Sequence, residues 1–165
     1  MTQNLKTLQD LFVYELRCMY DAERRLVNAL PEIEEAASSP DLKRAFHAHL
    51  EETEIHVDRL EQIFGLFEVR PKAENCESVK GLIKDSERVI DLDAEPNVRD
   101  AALVAVVQEV EHFEIAAYGT LRTWAAALDK SEVKHLLEWT LEEEKREDAL
   151  LTHIADSLNL RAVHH

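Results

Sequence analysis

The chain has 165 residues, 45% of them hydrophobic, with only 3 glycines and 4 prolines. Sheet proteins need these turn residues, so their scarcity predicts a few long helices, which we place in one domain over 1–163. The net charge of −15 would repel the phosphates of nucleic acids, and no apolar run is long enough to span a bilayer. The N-terminus lacks a signal-peptide pattern, and Cys18 and Cys76 have no paired spacing. We therefore expect a cytoplasmic protein without nucleic-acid or membrane partners.

Apolar residues recur at three- and four-residue steps along most of the chain, which is typical of helices that bury one face. Pro31 lies inside the first helix and is expected to kink it or fray its last turn. Ser39 and Pro40 have the order of a capping residue and a first-turn proline, and Ser131 caps the last helix. The predicted helices are 5–37, 41–67, 77–91, 97–128 and 132–159.

The connections between these helices predict the topology. Short connections join the first long helix to the second and the third to the fourth, so each pair forms an antiparallel hairpin. Residues 68–95 separate the two hairpins, a length that an up-down-up-down bundle would not need. The sequence therefore predicts an all-α fold, a ferritin-like four-helix bundle with one long crossover and a short extra helix.

The second hairpin aligns on the first when the sequence is shifted by 91 residues. Apolar positions match along the second helix of each hairpin, as two amphipathic hairpins often would by chance. The polar matches carry more weight, and we interpret the two halves as an internal repeat. These polar matches are Glu23 with Glu114, Glu52 with Glu143, and His56 with Glu147.

Several acidic residues of the second hairpin are predicted to face the core. At about 100° per residue, Glu114 lies close to the centre of its helix's apolar stripe, and Glu111 lies further from it. Glu144 and Glu147 lie near the stripe centre of the last helix, whereas Glu143 lies toward its edge. A glutamate with the position of Glu114 is hard to explain as solvated surface.

The first hairpin also carries inward polar residues. Thr53 is central on the second helix, His49 and His56 flank it, and Glu52 lies near the stripe boundary. Glu23 lies off the stripe centre of the first helix. Each histidine is equally well interpreted as a metal ligand or as a hydrogen-bonded core residue. Ordinary packing also remains an alternative for the tyrosines that could donate to the carboxylates, which are Tyr14, Tyr20 and Tyr118.

Buried carboxylates must be protonated, paired or bound to a cation, because burying a bare one costs several kcal/mol. The inward stripes contain few basic residues apart from histidine. Carboxylates from four helices at one level therefore predict a pair of divalent metal ions, bridged by carboxylates and completed by histidine. Glu111 is either a second ligand on its helix or a hydrogen-bond acceptor behind Glu114.

At these residues the sequence resembles the YciE/YciF-type stress proteins of bacteria, a branch of the ferritin-like superfamily, and it is closer to the YciF side. The resemblance covers nearly the whole chain, and the string in the third long helix is quite specific. The matching strings are DAE at 21–23 followed by Leu26, AFHAHLEET at 45–53, VRDAAL at 98–103, VEHFEIA at 110–116, YGTL at 118–121 and LEEEK at 141–145.

The resemblance implies a ferritin-like bundle, a homodimer and a dimetal centre of iron or manganese. The ligand set that it implies is Glu23, Glu52, Glu111, Glu114 and one glutamate of 142–144. The inward direction of its side chain on the helix favours Glu144 in that run, whereas the internal repeat favours Glu143. The wider superfamily carries Glu-x-x-His on the second helix, but Thr53 stands three residues before His56 here. The ligands of that helix are therefore Glu52 with His49 or His56.

Two functions are compatible with this sequence. The first is a metal-binding stress protein whose centre reacts with dioxygen or peroxide. The second is a non-enzymatic dimer that uses the bundle for structure or interaction, and iron storage is a weaker third because storage needs a cage. His164 and His165 are interpreted as a tail or tag remnant.

Overall fold

A computed structural model describes residues 5–163, which form five helices and no strand. The ferritin-like four-helix bundle with a long crossover and a short extra helix is confirmed. His164 and His165, interpreted above as a tail, lie outside the described residues. The helices are α1 (Leu8–Ala36), α2 (Pro40–Leu66), α3 (Glu77–Ile90), α4 (Pro96–Ala127) and α5 (Ser131–Val163).

The first and last helices differ from the predicted bounds. α1 begins at Leu8 rather than at residue 5, because Thr7 and Asp10 form a reciprocal cap in which each side chain accepts the other's backbone N–H. α1 also continues through Pro31 to Ala36, so its last turn is not frayed. α5 extends past residue 159 to the end of the described chain, since no glycine or proline interrupts it.

The four long helices pack in the cyclic order α1, α2, α5, α4, and α3 lies against α1 and α4. A buried carboxylate joins the two hairpins at one end of the bundle. Asp100, in the first turns of α4, accepts the backbone N–H groups of Ser38 and Ser39 at 2.7 and 2.8 Å. The starts of α2 and α4 therefore lie at the same end, and the crossover runs back along the bundle.

The crossover is attached to α1 by two hydrogen bonds. The backbone N–H of Glu74 donates to the carbonyl oxygen of Arg17 at 3.0 Å, and that of Cys76 donates to Asp21 Oδ2 at 2.9 Å. Cys18 and Cys76 are both buried and free. These contacts hold the start of α3 against the outside of the bundle.

The interior consists of two apolar clusters with polar side chains between them. One cluster includes Phe12, Leu60, Leu121 and Leu137, and the other includes Phe46, Leu103, Leu151 and Leu158. On α2 and α5 the acids and histidines singled out in the sequence lie between the two clusters, and on α1 and α4 Glu23, Glu111 and Glu114 lie beside residues of the first cluster. The fold therefore places them in a band enclosed by apolar packing.

Candidate metal centre

The polar band contains an excess of acidic groups. No lysine or arginine occurs among the buried side chains of residues 5–163, and histidine is the only basic residue type there. The acids and histidines of the band are each at most 6% exposed. They are Glu23, His49, His56, Glu111, Glu114, Glu144 and Glu147.

Four of these side chains converge on one side of the band, which we call the His49 side. His49 from α2, Glu111 and Glu114 from α4, and Glu144 from α5 each offer one ligand atom, and these atoms lie within 4.8 Å of one another. His49 Nδ1 is 3.3 Å from Glu111 Oε1. Glu111 and Glu114 lie one turn apart on α4, and this spacing points both toward the same volume.

Three side chains converge next to them, on what we call the His56 side. Glu23 from α1, His56 from α2 and Glu144 from α5 again offer atoms within 4.8 Å of one another. His56 Nδ1 lies 3.0 Å from Glu144 Oε1 and 3.5 Å from Glu23 Oε1. Glu144 belongs to both groups, so its carboxylate has the position of a bridge between them.

Many of the oxygens in the two groups have no hydrogen-bond partner within the described part of the chain. Such atoms are rare in folded proteins and need an explanation. They also lie where a cation would contact them. The unpartnered oxygens are Glu23 Oε2, both oxygens of Glu111, both oxygens of Glu114, and Glu144 Oε1.

The carboxyl groups of the His49 side lie in an environment that disfavours negative charge. Burial and the charge of Glu144 raise the pKa values of Glu111 and Glu114 well above the ordinary range. Burial, followed by the charges of Glu52 and Glu144, raises the pKa of Glu147 to about 7. Without a cation, these groups hold protons that a metal ion would displace.

The two histidines differ in their electrostatic surroundings. Burial lowers the pKa of His49 and outweighs the charges of Glu144 and Glu23. Burial alone would also lower the pKa of His56, but the charge of Glu23 and the hydrogen bond to Glu143 raise it to about 12. The pKa of Glu144 is lowered in spite of its burial, mainly by the imidazole of His56, whose Nδ1 lies 3.0 Å from Glu144 Oε1.

A second set of contacts surrounds the His56 side. Tyr118, buried on α4, donates its hydroxyl hydrogen to Glu23 Oε1. His56 Nε2 lies 3.0 Å from Glu143 Oε2, and Arg59 donates to Glu143 and to Thr140. These residues lie around the two groups of candidate ligands.

The residues present fit a pair of divalent ions. Two Fe²⁺ or Mn²⁺ ions would carry four positive charges and leave both histidines neutral, as metal ligation requires. The same number of negative charges comes from the ionised carboxylates of the two groups, which are Glu23, Glu111, Glu114 and Glu144. Mixed imidazole and carboxylate donors also suit these metals.

Six of the seven predicted ligands lie in the two groups, and Glu52 does not. Its side chain is 33% exposed, and Glu52 Oε1 accepts from Arg146 at 3.0 Å. Glu143, the alternative to Glu144, is similarly placed at the edge, with 22% of its side chain exposed. The ligand roles themselves stay predictions, but the geometry favours Glu144 over Glu143.

Glu147 was not among the predicted ligands, although its helical position indicated that it faces inward. It is 6% exposed, and its Oε1 has no hydrogen-bond partner among the residues that the structure covers. The internal repeat places it opposite His56, which is also buried. Arg59 and Thr140 were missed altogether, because their role depends on contacts between α2 and α5.

Residues 7–164 match a family described as a domain of unknown function, DUF892. The chain is 42% identical to protein YciF of Escherichia coli (strain K12) over 161 residues, which cover 96% of this chain and 97% of YciF. The crystal structure of the E. coli stress protein YciF matches with a TM-score of 0.91, covering 93% of this chain and 98% of that one.

Two further solved structures are similar. YcfI from Rhodopseudomonas palustris, provisionally described as a structural protein, is 38% identical with a TM-score of 0.88, over 92% of this chain and 97% of YcfI. A protein from Xanthomonas campestris pv. campestris is 18% identical with a TM-score of 0.76, over 94% and 95% of the two chains. This last likeness supports the fold alone.

None of the helices within residues 5–163 combines the length and the apolar character that crossing a membrane requires. The sequence strings that resembled YciF-type proteins now coincide with the helices that build the polar band. The chain belongs to the DUF892 family and is a relative of the bacterial stress protein YciF.

Proposed function

We propose that this protein is a metal-binding stress-response protein whose buried centre holds two divalent ions, iron or manganese, and acts in oxidative or peroxide stress. The main support for this proposal is the arrangement of the buried ligand groups. Glu144 is shared by two buried groups of carboxylate and imidazole donors, and no lysine or arginine is buried within residues 5–163 to neutralise them. A pair of cations is the simplest way to compensate these charges.

Bound iron or manganese would supply an ion that cycles between oxidation states in contact with dioxygen or peroxide. The chain's own residues prepare the place for it. Glu144 would contact ions in both positions, and Tyr118 donates to Glu23 Oε1, which leaves Glu23 Oε2 available to a cation. The apolar clusters on either side keep bulk water away, which strengthens electrostatic interactions inside.

The cellular setting that we propose is the cytoplasm. Two buried cysteines that remain free suit a reducing compartment. E. coli YciF is described as a stress protein, and its 42% identity with this chain supports a related role here.

The alternative is a structural homodimer without redox chemistry. Two observations favour it: YcfI is provisionally described as a structural protein, and large apolar side chains of α5 are exposed, among them Trp139 at 61% and Leu150 at 41%. Apolar side chains grouped on one surface are typical of contact surfaces. Dimer formation is compatible with both functions, whereas the alternative alone requires no reactive metal.

Metal analysis of protein purified without a chelator separates the two functions. The proposal predicts two ions per chain, loss of metal from Glu114→Ala, and a lower melting temperature after metal removal. Metal-loaded protein is then expected to oxidise added ferrous iron or to consume peroxide. A metal content well below one ion per chain that Glu114→Ala does not change would contradict the proposal and support the structural dimer.

A further inference from the structure

The contacts behind His56 assign a role to two residues outside the ligand groups. We propose that Glu143 and Arg59 are positioning residues that hold the His56 ring with its Nε2–H directed outward and its Nδ1 directed at the metal position next to Glu23 and Glu144. This inference rests on the proposed metal centre. It concerns the orientation of a ligand rather than its identity.

Arg59 on α2 pairs with Glu143 on α5. Arg59 Nη1 donates to Glu143 Oε2 at 2.6 Å, and Nη2 donates to Oε1 at 3.3 Å. Arg59 Nη1 also donates to the buried hydroxyl of Thr140 at 2.6 Å. A forked pair with a third anchor fixes the plane of the carboxylate, because guanidinium donors are rigidly spaced.

The imidazole of His56 donates a hydrogen bond to Glu143. Glu143 Oε2 lies 3.0 Å from His56 Nε2. A carboxylate that already receives a guanidinium fork is an acceptor, so the hydrogen of this bond belongs to His56 Nε2. In the neutral ring the other nitrogen then carries a lone pair, and this lone pair is what a metal ion binds.

The lone pair on His56 Nδ1 is directed at the candidate metal position. His56 Nδ1 lies 3.0 Å from Glu144 Oε1 and 3.5 Å from Glu23 Oε1, and it has no properly aligned hydrogen-bond partner among the described residues. The two ring nitrogens therefore face different surroundings. One faces the Glu143–Arg59 pair at the edge of the bundle, and the other faces the candidate metal position.

Glu143 itself is poorly placed as a ligand. Both of its oxygens receive hydrogen bonds, and it belongs to neither group of converging ligand atoms. It thus has the position of an outer carboxylate that orients a metal-binding histidine. Loss of such a partner lowers metal affinity about 10- to 100-fold in other metal sites.

The test is a calorimetric titration of metal-free protein with Mn²⁺, carried out on wild type, Glu143→Ala, Glu143→Gln and Glu142→Ala. Glu142 is the matched control, because it is adjacent on α5, 61% exposed and, among residues 5–163, paired only with Lys145. We expect wild type and Glu142→Ala to bind two ions. In Glu143→Ala, one ion should bind as in wild type and the other about 10- to 100-fold more weakly. Glu143→Gln should lose less, since its amide oxygen can still accept from Nε2–H.

A spectroscopic measurement separates orientation from general destabilisation. In Zn²⁺-loaded wild type, ¹⁵N NMR should show His56 with Nδ1 bound to the metal and a slowly exchanging hydrogen on Nε2. Glu143→Ala should lose this slow exchange. If the alanine variant does not fold, Glu143→Gln decides the question with the same two measurements.

The results distinguish this inference from the function on which it rests. Two ions in wild type with unchanged binding of both ions in Glu143→Ala and Glu143→Gln would overturn the positioning role alone. Equal weakening of both ions, with no change in the NMR signature of His56, would overturn it as well. Fewer than two ions in wild type would instead overturn the metal centre itself.

Discussion

The two sides of the candidate centre share Glu144 but compensate their charge in different ways. The His49 side has three carboxylates and one histidine, and His49 Nε2 has no hydrogen-bond partner among residues 5–163. The His56 side has two carboxylates and a histidine whose ring also reaches Glu143 outside the group. The first side depends on an external cation or on protons, whereas the second carries a positive charge of its own when metal is absent.

This difference indicates which features of a buried acidic cluster point to a bound metal ion. Raised pKa values at Glu111 and Glu114 show that the His49 side cannot hold its charges unaided. The lowered pKa of Glu144 and the raised pKa of His56 show an internal ion pair on the other side.

Glu144→Ala should abolish stoichiometric binding of both ions, because its carboxylate belongs to both sides. His56→Ala should weaken only the ion on its own side and leave the ion next to His49. Titration of both variants with Mn²⁺ measures the difference. Retention of one tightly bound ion in Glu144→Ala would show that this carboxylate does not bridge.

In metal-free protein, His56→Ala should cost about 3–5 kcal/mol of unfolding free energy, because it leaves Glu23 and Glu144 without their buried cation. His49→Ala removes the same volume but no charge, so it should cost less. The folded pKa of His56, about 12, lies above its unfolded value of 6.5, so its stabilisation is fully present below pH 6.5 and declines as the pH rises toward 12. Urea unfolding at pH 6 and pH 9 measures both effects. Equal losses for the two variants at pH 6 would contradict the assigned charge difference.

Glu147→Gln should stabilise the metal-free protein at alkaline pH. The pKa of this carboxyl is about 7 when folded and 4.5 when unfolded, so the wild type loses stability between these values, because the carboxyl ionises in the unfolded chain while the buried one keeps its proton. The gain in the variant should be absent near pH 4 and reach about 3 kcal/mol at pH 8. Glu142→Gln, at an exposed neighbouring position, is the control and should show no such pH-dependent gain.

Tyr118→Phe should have a smaller effect than the changes above, about 1–2 kcal/mol of unfolding free energy, because it removes one buried hydrogen bond to a charged group. Tyr20→Phe removes a bond to Glu61 that is outside the centre and partly exposed, so it should cost less. Thermal melts of both variants give the comparison. A larger loss in Tyr20→Phe would mean that the bond to Glu23 contributes little.

The fold could be predicted because its signals lie within single helices or in their connections. Apolar periodicity located the helices, and the length of residues 68–95 selected the crossover topology. The inward positions of Glu114 and Glu144 followed from the same periodicity, because both lie near the centre of an apolar stripe. Burial of a stripe centre depends little on which helix packs against it.

Whether a residue at the edge of an apolar stripe turns inward or outward could not be predicted in this way. Glu52 was predicted as a ligand, but its position near a stripe boundary lets it turn outward to Arg146 on α5. The internal repeat favoured Glu143 by matching it with Glu52. Both residues of that match lie at the edge and pair with an arginine of the facing helix. Which way a boundary residue turns depends on a partner from another helix, and periodicity contains no information about it.

Anomalous diffraction would show directly whether two metal ions share Glu144. Crystals of the protein loaded with Mn²⁺ or Fe²⁺ would be measured at the absorption edge of that metal. We expect two anomalous peaks inside the bundle, with Glu144 contacting both metal ions. One peak should lie near His49, Glu111 and Glu114, and the other near Glu23 and His56. No peak in the polar band, or a single peak that Glu144 does not contact, would contradict it.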